Sequence, residues 1–142
     1  MSVPGHFKPS QSTMNLILPV KEPVAQNAMF LREVLKHLEP VGLNRVGTLH
    51  FARFLFIDND TRFLIFTTFD GTFANYMNDF INETGDAFNL ILPFMDIPDG
   101  VLPVQQHREA FYKLIQANDA SSEIVYSAYP DLTVLEIIKN AQ

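Results

Sequence analysis

Runs of apolar residues separated by polar turn residues predict three strands and one helix in the first half of the chain. Residues 14–20, "MNLILPV", predict a strand that ends near Pro19. Apolar residues at helical spacing predict a helix over 23–38. Residues 46–58 and 62–70 then predict a hairpin, because the Asn and Asp residues of the "DNDT" turn tolerate a positive φ.

The second half of the chain predicts more helix and a last strand. A helix is expected over 72–84, with Gly85 as its C-terminal stop. Residues 86–103 contain three prolines and predict an irregular insertion, and 104–117 predict a helix. The run "EIVYSAY", residues 123–129, predicts a strand, and Thr133 with Glu136 forms a capping box for a C-terminal helix.

The order of these elements is that of the split βαβ, or ferredoxin-like, fold, an α+β class with a four-stranded antiparallel sheet and helices on one face. We expect a loose tail over 1–13 and one domain over 14–142 with an insertion at about 86–118. The predicted strands are apolar on both faces, which is typical of a sheet covered on both sides. Helices cover only one face, so we expect a second copy of the chain to cover the other, giving a homodimer.

Composition narrows the class of protein. The chain has 142 residues, of which 47% are hydrophobic and 18% are charged, and these proportions are typical of a globular protein. A net charge of −6 disfavours binding to nucleic acid and to anionic membranes. Cysteine is absent, so no disulfide is expected, and a reducing cytoplasm suits the chain. No membrane insertion is expected, because no apolar run is long enough to span a bilayer.

Two basic residues interrupt the apolar run "GTLHFARFLFID", residues 47–58. His50 and Arg53 lie three apart, so they are predicted on opposite faces of the sheet. If Asp58 pairs with Arg62, His50 lies opposite Asp70, and the two would form a carboxylate-oriented imidazole suited to acid–base catalysis. The structural alternative is that Asp70 caps the following helix while His50 is a hydrogen-bonded core residue.

Arg53 has two interpretations as well. A guanidinium among phenylalanines needs a partner, and a ligand carboxylate would accept two parallel hydrogen bonds from it. The alternatives are an internal ion pair with Glu123 or Asp79, or an edge-strand position where the side chain reaches water.

The thirteen phenylalanines are core residues in the first instance, and a subset is predicted to line a ligand cavity. The insertion is a candidate lid over the mouth of that cavity. One tyrosine of the predicted last strand is a candidate hydroxyl donor to it. The predicted ligand-binding residues, besides Arg53, are Phe51, Phe54, Phe66, Phe69, Phe88, Phe94 and Tyr126.

The layout of elements over about 14–129, with a sheet apolar on both faces, resembles the dimeric α+β barrel proteins. That group includes small monooxygenases, chlorite-dismutase-like proteins and dye-decolourising peroxidases. The stretch "TTFDG", residues 67–71, is similar to the Gly-x-x-Asp-Gly motif of the peroxidases, with Thr67 in place of the first glycine. The resemblance implies that Asp70 faces the cavity, and it does not imply haem.

Three functions are therefore predicted. The first is binding of a small apolar molecule, such as a fatty-acid-like carboxylate, in a Phe-lined cavity of a dimeric barrel. The second is a cofactor-free or haem-dependent oxygenase or peroxidase-like enzyme that uses His50 and Asp70. The third is a structural dimer with no ligand. No cofactor is assigned, and the four histidines show no metal-binding spacing.

Overall fold

The computed structural model describes residues 11–38, 47–71 and 73–141. In this part of the chain three strands and four α-helices follow one another. The strands are β1 (Gln11–Pro19), β2 (Leu49–Ile57) and β3 (Arg62–Asp70), and the helices are α1 (Val24–Lys36), α2 (Phe73–Ile91), α3 (Arg108–Asn118) and α4 (Val134–Ala141). Short 3-10 turns lie at Leu92–Phe94 and Val104–Gln106.

The sheet is antiparallel and has the order β1-β3-β2. Inserting β3 between β1 and β2 splits the βαβ unit, as the predicted α+β layout requires. The hairpin turn is as predicted, because Asp58, Asn59 and Asp60 all have a positive φ, between 54° and 68°. Strand β1 begins at Gln11, within the segment that was expected to be a loose tail.

The prediction of a fourth strand over residues 123–129 is wrong. The described chain forms no strand there, and the sheet has three strands. The neighbouring residues do reach the free edge of β1, where Asp119 forms an isolated bridge with Leu16 and the Ala120 N–H donates to the Asn15 carbonyl at 2.9 Å. The pairing with β1 stops after this single bridge. The alternating apolar residues of 123–129 are therefore not sufficient to form a strand.

The predicted end of α2 is also wrong. The helix continues through Gly85 to Ile91, so residues 86–91 belong to a helix and not to the insertion. Gly85 is buried, and the Gln105 side chain approaches so closely that a Cβ on residue 85 would lie 2.5 Å from Gln105 Nε2. A glycine here permits close packing against the 104–106 turn and does not end the helix.

The core lies between one face of the sheet and helices α1, α2 and α3. We call this the helix-covered face. Along the strands, every second residue points to this face, as the pleat requires. The residues at the centre of the sheet are almost fully buried. Leu16, Leu18, Phe63 and Ile65 are at most 1% exposed. Helix residues Leu31, Ile81, Phe111 and Ile115 pack against them.

The opposite side of the sheet, the second face, has a different cover. The strand register determines which residues lie on it. They are Thr13, Asn15 and Ile17 of β1, Leu64, Phe66, Thr68 and Asp70 of β3, and Phe51, Arg53 and Leu55 of β2. Residues 119–141, which we call the C-terminal segment, are hydrogen-bonded to this face. None of the helices in the described residues combines the length and the hydropathy that a membrane span requires.

Candidate acid–base site

The strand register differs from the prediction by one residue, yet His50 and Asp70 meet. Ile57 pairs with Arg62, where Asp58 had been expected to do so. An irregularity between Leu49 and Phe51 then shifts the pairing again, so that Leu49 faces Phe69. This bulge turns the His50 side chain toward Asp70, and His50 Nε2 lies 2.6 Å from Asp70 Oδ1.

Both side chains of this pair are buried, with 6% of the His50 side chain and 10% of the Asp70 side chain exposed. Asp70 is also fixed by its second oxygen, because the Val134 N–H at the start of α4 donates to Oδ2 at 2.9 Å. Its own backbone N–H donates to the Thr48 carbonyl at 2.8 Å. The carboxylate therefore has one position, and it fixes the orientation of the imidazole.

Two polar atoms near this pair have no protein partner in the described residues. His50 Nδ1 forms no hydrogen bond there, since the one bond of the ring is to Asp70. Thr48 Oγ1 is buried and has no hydrogen-bond partner within the same part of the chain. A buried hydroxyl without a partner is uncommon in folded proteins, and a bound polar group would satisfy it.

The role of Asp70 at α4 had no specific sequence signal, although the capping box beside it did. Thr133 and Glu136 form that box as predicted: the Glu136 N–H donates to Thr133 Oγ1 at 3.2 Å, and the Thr133 N–H donates to Glu136 Oε1 at 3.1 Å. The hydrogen bonds from Thr133 hold the pKa of Glu136 below its ordinary value of 4.5. Within the described residues, Asp70 accepts from the first N–H of α4, and the alternative that it caps a helix near Gly71 involves residue 72, which lies outside them.

A separate apolar cavity of about 20 Å³ lies on the helix-covered face, between β2, β3 and α2. Phe54, Phe80 and Phe88 line it, together with Leu49, Ile65 and Ile91. A cavity of this size holds about one water molecule, and its apolar walls favour a dry void. It is far too small for a fatty-acid chain in this conformation.

The predicted ligand-binding residues are distributed over different places. Phe54 and Phe88 line the cavity, Phe69 is buried in the core, and Phe94 packs against the core from the 92–94 turn. Phe66 is half-buried on the second face. Phe51 and Tyr126 are 72% and 77% exposed. The structure therefore does not bring this set together around one cavity in a single chain.

Arg53 occupies the edge-strand position that was one of its alternatives. It is exposed on the second face, opposite Phe66. It has no ion pair with Glu123, with Asp79 or with any other described residue. Asp70 is also on the second face, away from this small void, so its position relative to a cavity in a dimeric barrel stays a prediction.

The comparisons with known proteins give a likeness of layout alone. No family model matches the sequence, and a search of the curated proteins finds no match. Among solved structures, the chain is similar to one described as "Putative antibiotic biosynthesis monooxygenase from Nitrosomonas europaea". The two are 12% identical, the match covers 66% of this chain and 86% of that chain, and the TM-score is 0.49. This likeness concerns the arrangement of strands and helices and carries no statement about chemistry.

In residues 11–38, 47–71 and 73–141, no group of three His, Asp or Glu side chains is placed to hold a metal ion. His50 Nε2 is bonded to Asp70, so only Nδ1 could ligate haem iron, and 6% of the side chain is exposed. We therefore derive no step through haem.

Proposed function

We propose that His50 and Asp70 are the acid–base pair of an enzyme that acts on a small, largely apolar substrate with an acidic proton. The 2.6 Å hydrogen bond between His50 and Asp70 carries this proposal. An imidazole oriented by a fixed carboxylate is a common general base, and Asp70 would stabilise the imidazolium ion that forms. His50 Nδ1 and the Thr48 hydroxyl have no partner in the described residues, which supports a polar contact with a substrate at this end of the sheet.

Within that class, the proposed reaction is a cofactor-free oxygenation. His50 would take the acidic proton, and the electron pair of the broken O–H or C–H bond would stay on the substrate. The resulting anion would be oxidised by dioxygen, with a C–O bond forming to one oxygen atom. The peroxide would regain the proton from His50, and loss of water would then leave a carbonyl on the substrate. The protein's part is to hold the substrate, remove the proton and exclude water.

Dioxygen uptake with a panel of hydroquinones and polycyclic phenols tests this proposal, because their anions reduce dioxygen. We expect turnover by the parent protein and a loss of 10²–10⁴-fold in His50→Gln, the range typical of a general base. His37→Gln is the matched control, since His37 is exposed beyond the end of α1, and it should keep full activity. Equal turnover by His50→Gln and the parent, or no uptake by the parent with any substrate, would contradict the proposal.

The proposed active form is a homodimer in which the second faces of two copies pack together. Support comes from the apolar residues that this face presents, Ile17, Leu55 and Phe66 among them, which are half-buried in a single chain. A second sheet would cover them and enclose the end where His50 and Asp70 lie.

A second candidate function is the binding of a small apolar molecule with a carboxylate, such as a fatty acid, between the two sheets. The observation that favours it is Arg53, an exposed cation on an apolar face with no ion pair in the described residues. Binding of dodecanoate, measured by calorimetry, should weaken about 10-fold or more in Arg53→Ala. Arg62→Ala is the control, because Arg62 is already paired with Asp58, and equal affinities in both variants would contradict an anchor role for Arg53.

A further inference from the structure

The C-terminal segment uses its polar groups to bind the sheet. Four sheet side chains reach it in order along the chain. The Asn15 amide donates to the Ala120 carbonyl at 2.8 Å, and the hydroxyls of Thr13 and Ser122 are 3.1 Å apart. The Gln11 amide donates to the Tyr129 carbonyl at 2.6 Å and to the Leu132 carbonyl at 3.1 Å. With the bond from Val134 to Asp70, these contacts fix the backbone of the segment from the edge of β1 to the end of β3.

Five large apolar side chains of the same segment face solvent, while its remaining Val, Leu and Ile residues are half-buried. Helix α4 is amphipathic, yet it has no buried residue, and Leu135 and Ile138 are 65% and 51% exposed. Before the helix, Ile124, Tyr126 and Tyr129 are between 63% and 79% exposed. Large apolar groups of a segment held against a core usually pack inward, so five that are at least half exposed form an unusual surface.

Phe51 extends this apolar surface across the sheet. It is 72% exposed at the edge of β2, and its ring centroid is 6.4 Å from that of His50. Leu135 lies beside the same edge, since its Cδ2 is 3.8 Å from where a Cβ on Gly47 would be. The surface thus passes from the β1 edge over the end of β3 to the β2 edge.

We propose that the C-terminal segment and Phe51 form the contact surface between two copies of this chain. This inference rests on the proposed homodimer and names the part of the chain that makes it. Six large side chains, each at least half exposed, offer on the order of 800 Å² of area, about what one partner contributes to a stable interface. A scattered apolar residue needs no explanation, but a preorganised apolar surface of this size marks an interaction site.

A second copy fits this surface better than an unrelated chain. In a two-fold dimer the surface meets itself, so apolar groups face apolar groups without any further sequence requirement. The same contact would place the partner over Phe51 and α4, which adjoin His50 and Asp70. The acid–base pair would then lie at the dimer interface, and the partner would complete the wall of the proposed site.

Sedimentation velocity over a range of concentrations tests the surface with two matched charge substitutions. Tyr126→Asp places a carboxylate in the proposed contact, and Met29→Asp places one on α1, where Met29 is also more than half exposed. We expect the parent and Met29→Asp to be dimers, and Tyr126→Asp to raise the dimer dissociation constant at least 30-fold. Leu135→Lys should act in the same way as Tyr126→Asp.

The outcomes separate this inference from the proposed homodimer. A parent protein that is monomeric at every concentration overturns both. A parent dimer that Tyr126→Asp and Leu135→Lys leave intact overturns this surface and keeps the dimer, and dissociation by Met29→Asp alone would place the contact on α1. Circular dichroism and thermal unfolding of each variant at low concentration exclude loss of the fold, because all three side chains are exposed in the single chain.

Discussion

The two faces of the sheet are built from the same three strands and differ in chemistry. On the helix-covered face the central side chains are apolar and at most 1% exposed, and α1, α2 and α3 close over them. On the second face Arg53 is exposed, a buried hydrogen bond joins His50 to Asp70, and the C-terminal segment is bound by hydrogen bonds. The helix-covered face is therefore closed by apolar packing, while the second face presents polar and charged groups.

The helix-covered face therefore stabilises the fold, and the second face contains the candidate functional groups. Apolar burial on the helix-covered face supplies the free energy of folding, because nearly every residue there is removed from water. The second face contributes less and contains the groups with chemistry. These are the oriented His50 imidazole and the Arg53 guanidinium, which has no ion pair in the described residues. We therefore expect substitutions on the two faces to have different consequences.

The largest contrast is expected from the same substitution on opposite faces. Phe63→Ala opens a cavity at a fully buried site on the helix-covered face, and should cost about 3–5 kcal/mol of unfolding free energy. Phe51→Ala removes a ring that is 72% exposed, and should change the stability of the single chain by less than about 0.5 kcal/mol. Urea unfolding at one low protein concentration measures both, and similar losses would show that the two faces are not distinct.

Asp70→Ala should have an intermediate effect. It removes the acceptor of the His50 ring and of the first N–H of α4, which leaves both without that partner. We expect a loss of about 1–3 kcal/mol and faster hydrogen exchange of the α4 amides. Asp60→Ala is the control, since Asp60 pairs with Arg32 on the surface, far along the chain from α4. Unchanged exchange at Val134 in Asp70→Ala would contradict the proposed anchor.

The sequence predicts those features of the structure that depend on residues close together in the chain. It does not predict those that depend on distant contacts. The positive φ values at Asp58, Asn59 and Asp60 and the Thr133–Glu136 box follow from short-range chemistry, and both are confirmed. The bounds of β3 are also as predicted. Gly85 and residues 123–129 were predicted wrongly because tertiary packing decides them: one meets Gln105 and the other lacks a pairing partner in the described chain.

The candidate site shows the same division. The proximity of His50 and Asp70 was predicted from a register that proved wrong by one residue, and a bulge that the sequence did not indicate restored the contact. The role of Asp70 at α4 is a contact between residues 64 positions apart, and no pattern in the chain indicates it. The prediction that His50 and Arg53 lie on opposite faces is wrong, because the bulge at His50 brings its side chain to Asp70 on the second face, where Arg53 also lies.

A smaller effect is expected at the cap of α4. Thr133→Ala removes the side-chain acceptor of the Glu136 N–H and should cost about 1 kcal/mol or less. Amide exchange of α4 should quicken while that of α3 stays unchanged. Equal exchange in the variant and the parent would show that the capping box does not stabilise the helix.

The smallest effect concerns the pH dependence of the same cap. Hydrogen bonds from Thr133 hold the pKa of Glu136 below 4.5, so the ionised form favours the folded helix. The contribution is present above pH 4.5 and is lost as pH falls through the lowered folded-state pKa. Carboxyl NMR titration should find the pKa below 4.5 in the parent and closer to it in Thr133→Ala, and identical values would contradict this.

Native mass spectrometry of the parent protein tests most directly the claim that the second face receives another molecule. The account predicts a species of twice the 16.1 kDa chain mass, with or without a small bound molecule that denaturation releases. A single chain with no added mass at every concentration would contradict it. In that case the second face, with its exposed Phe51 and its apolar C-terminal segment, would have no partner of the kind proposed.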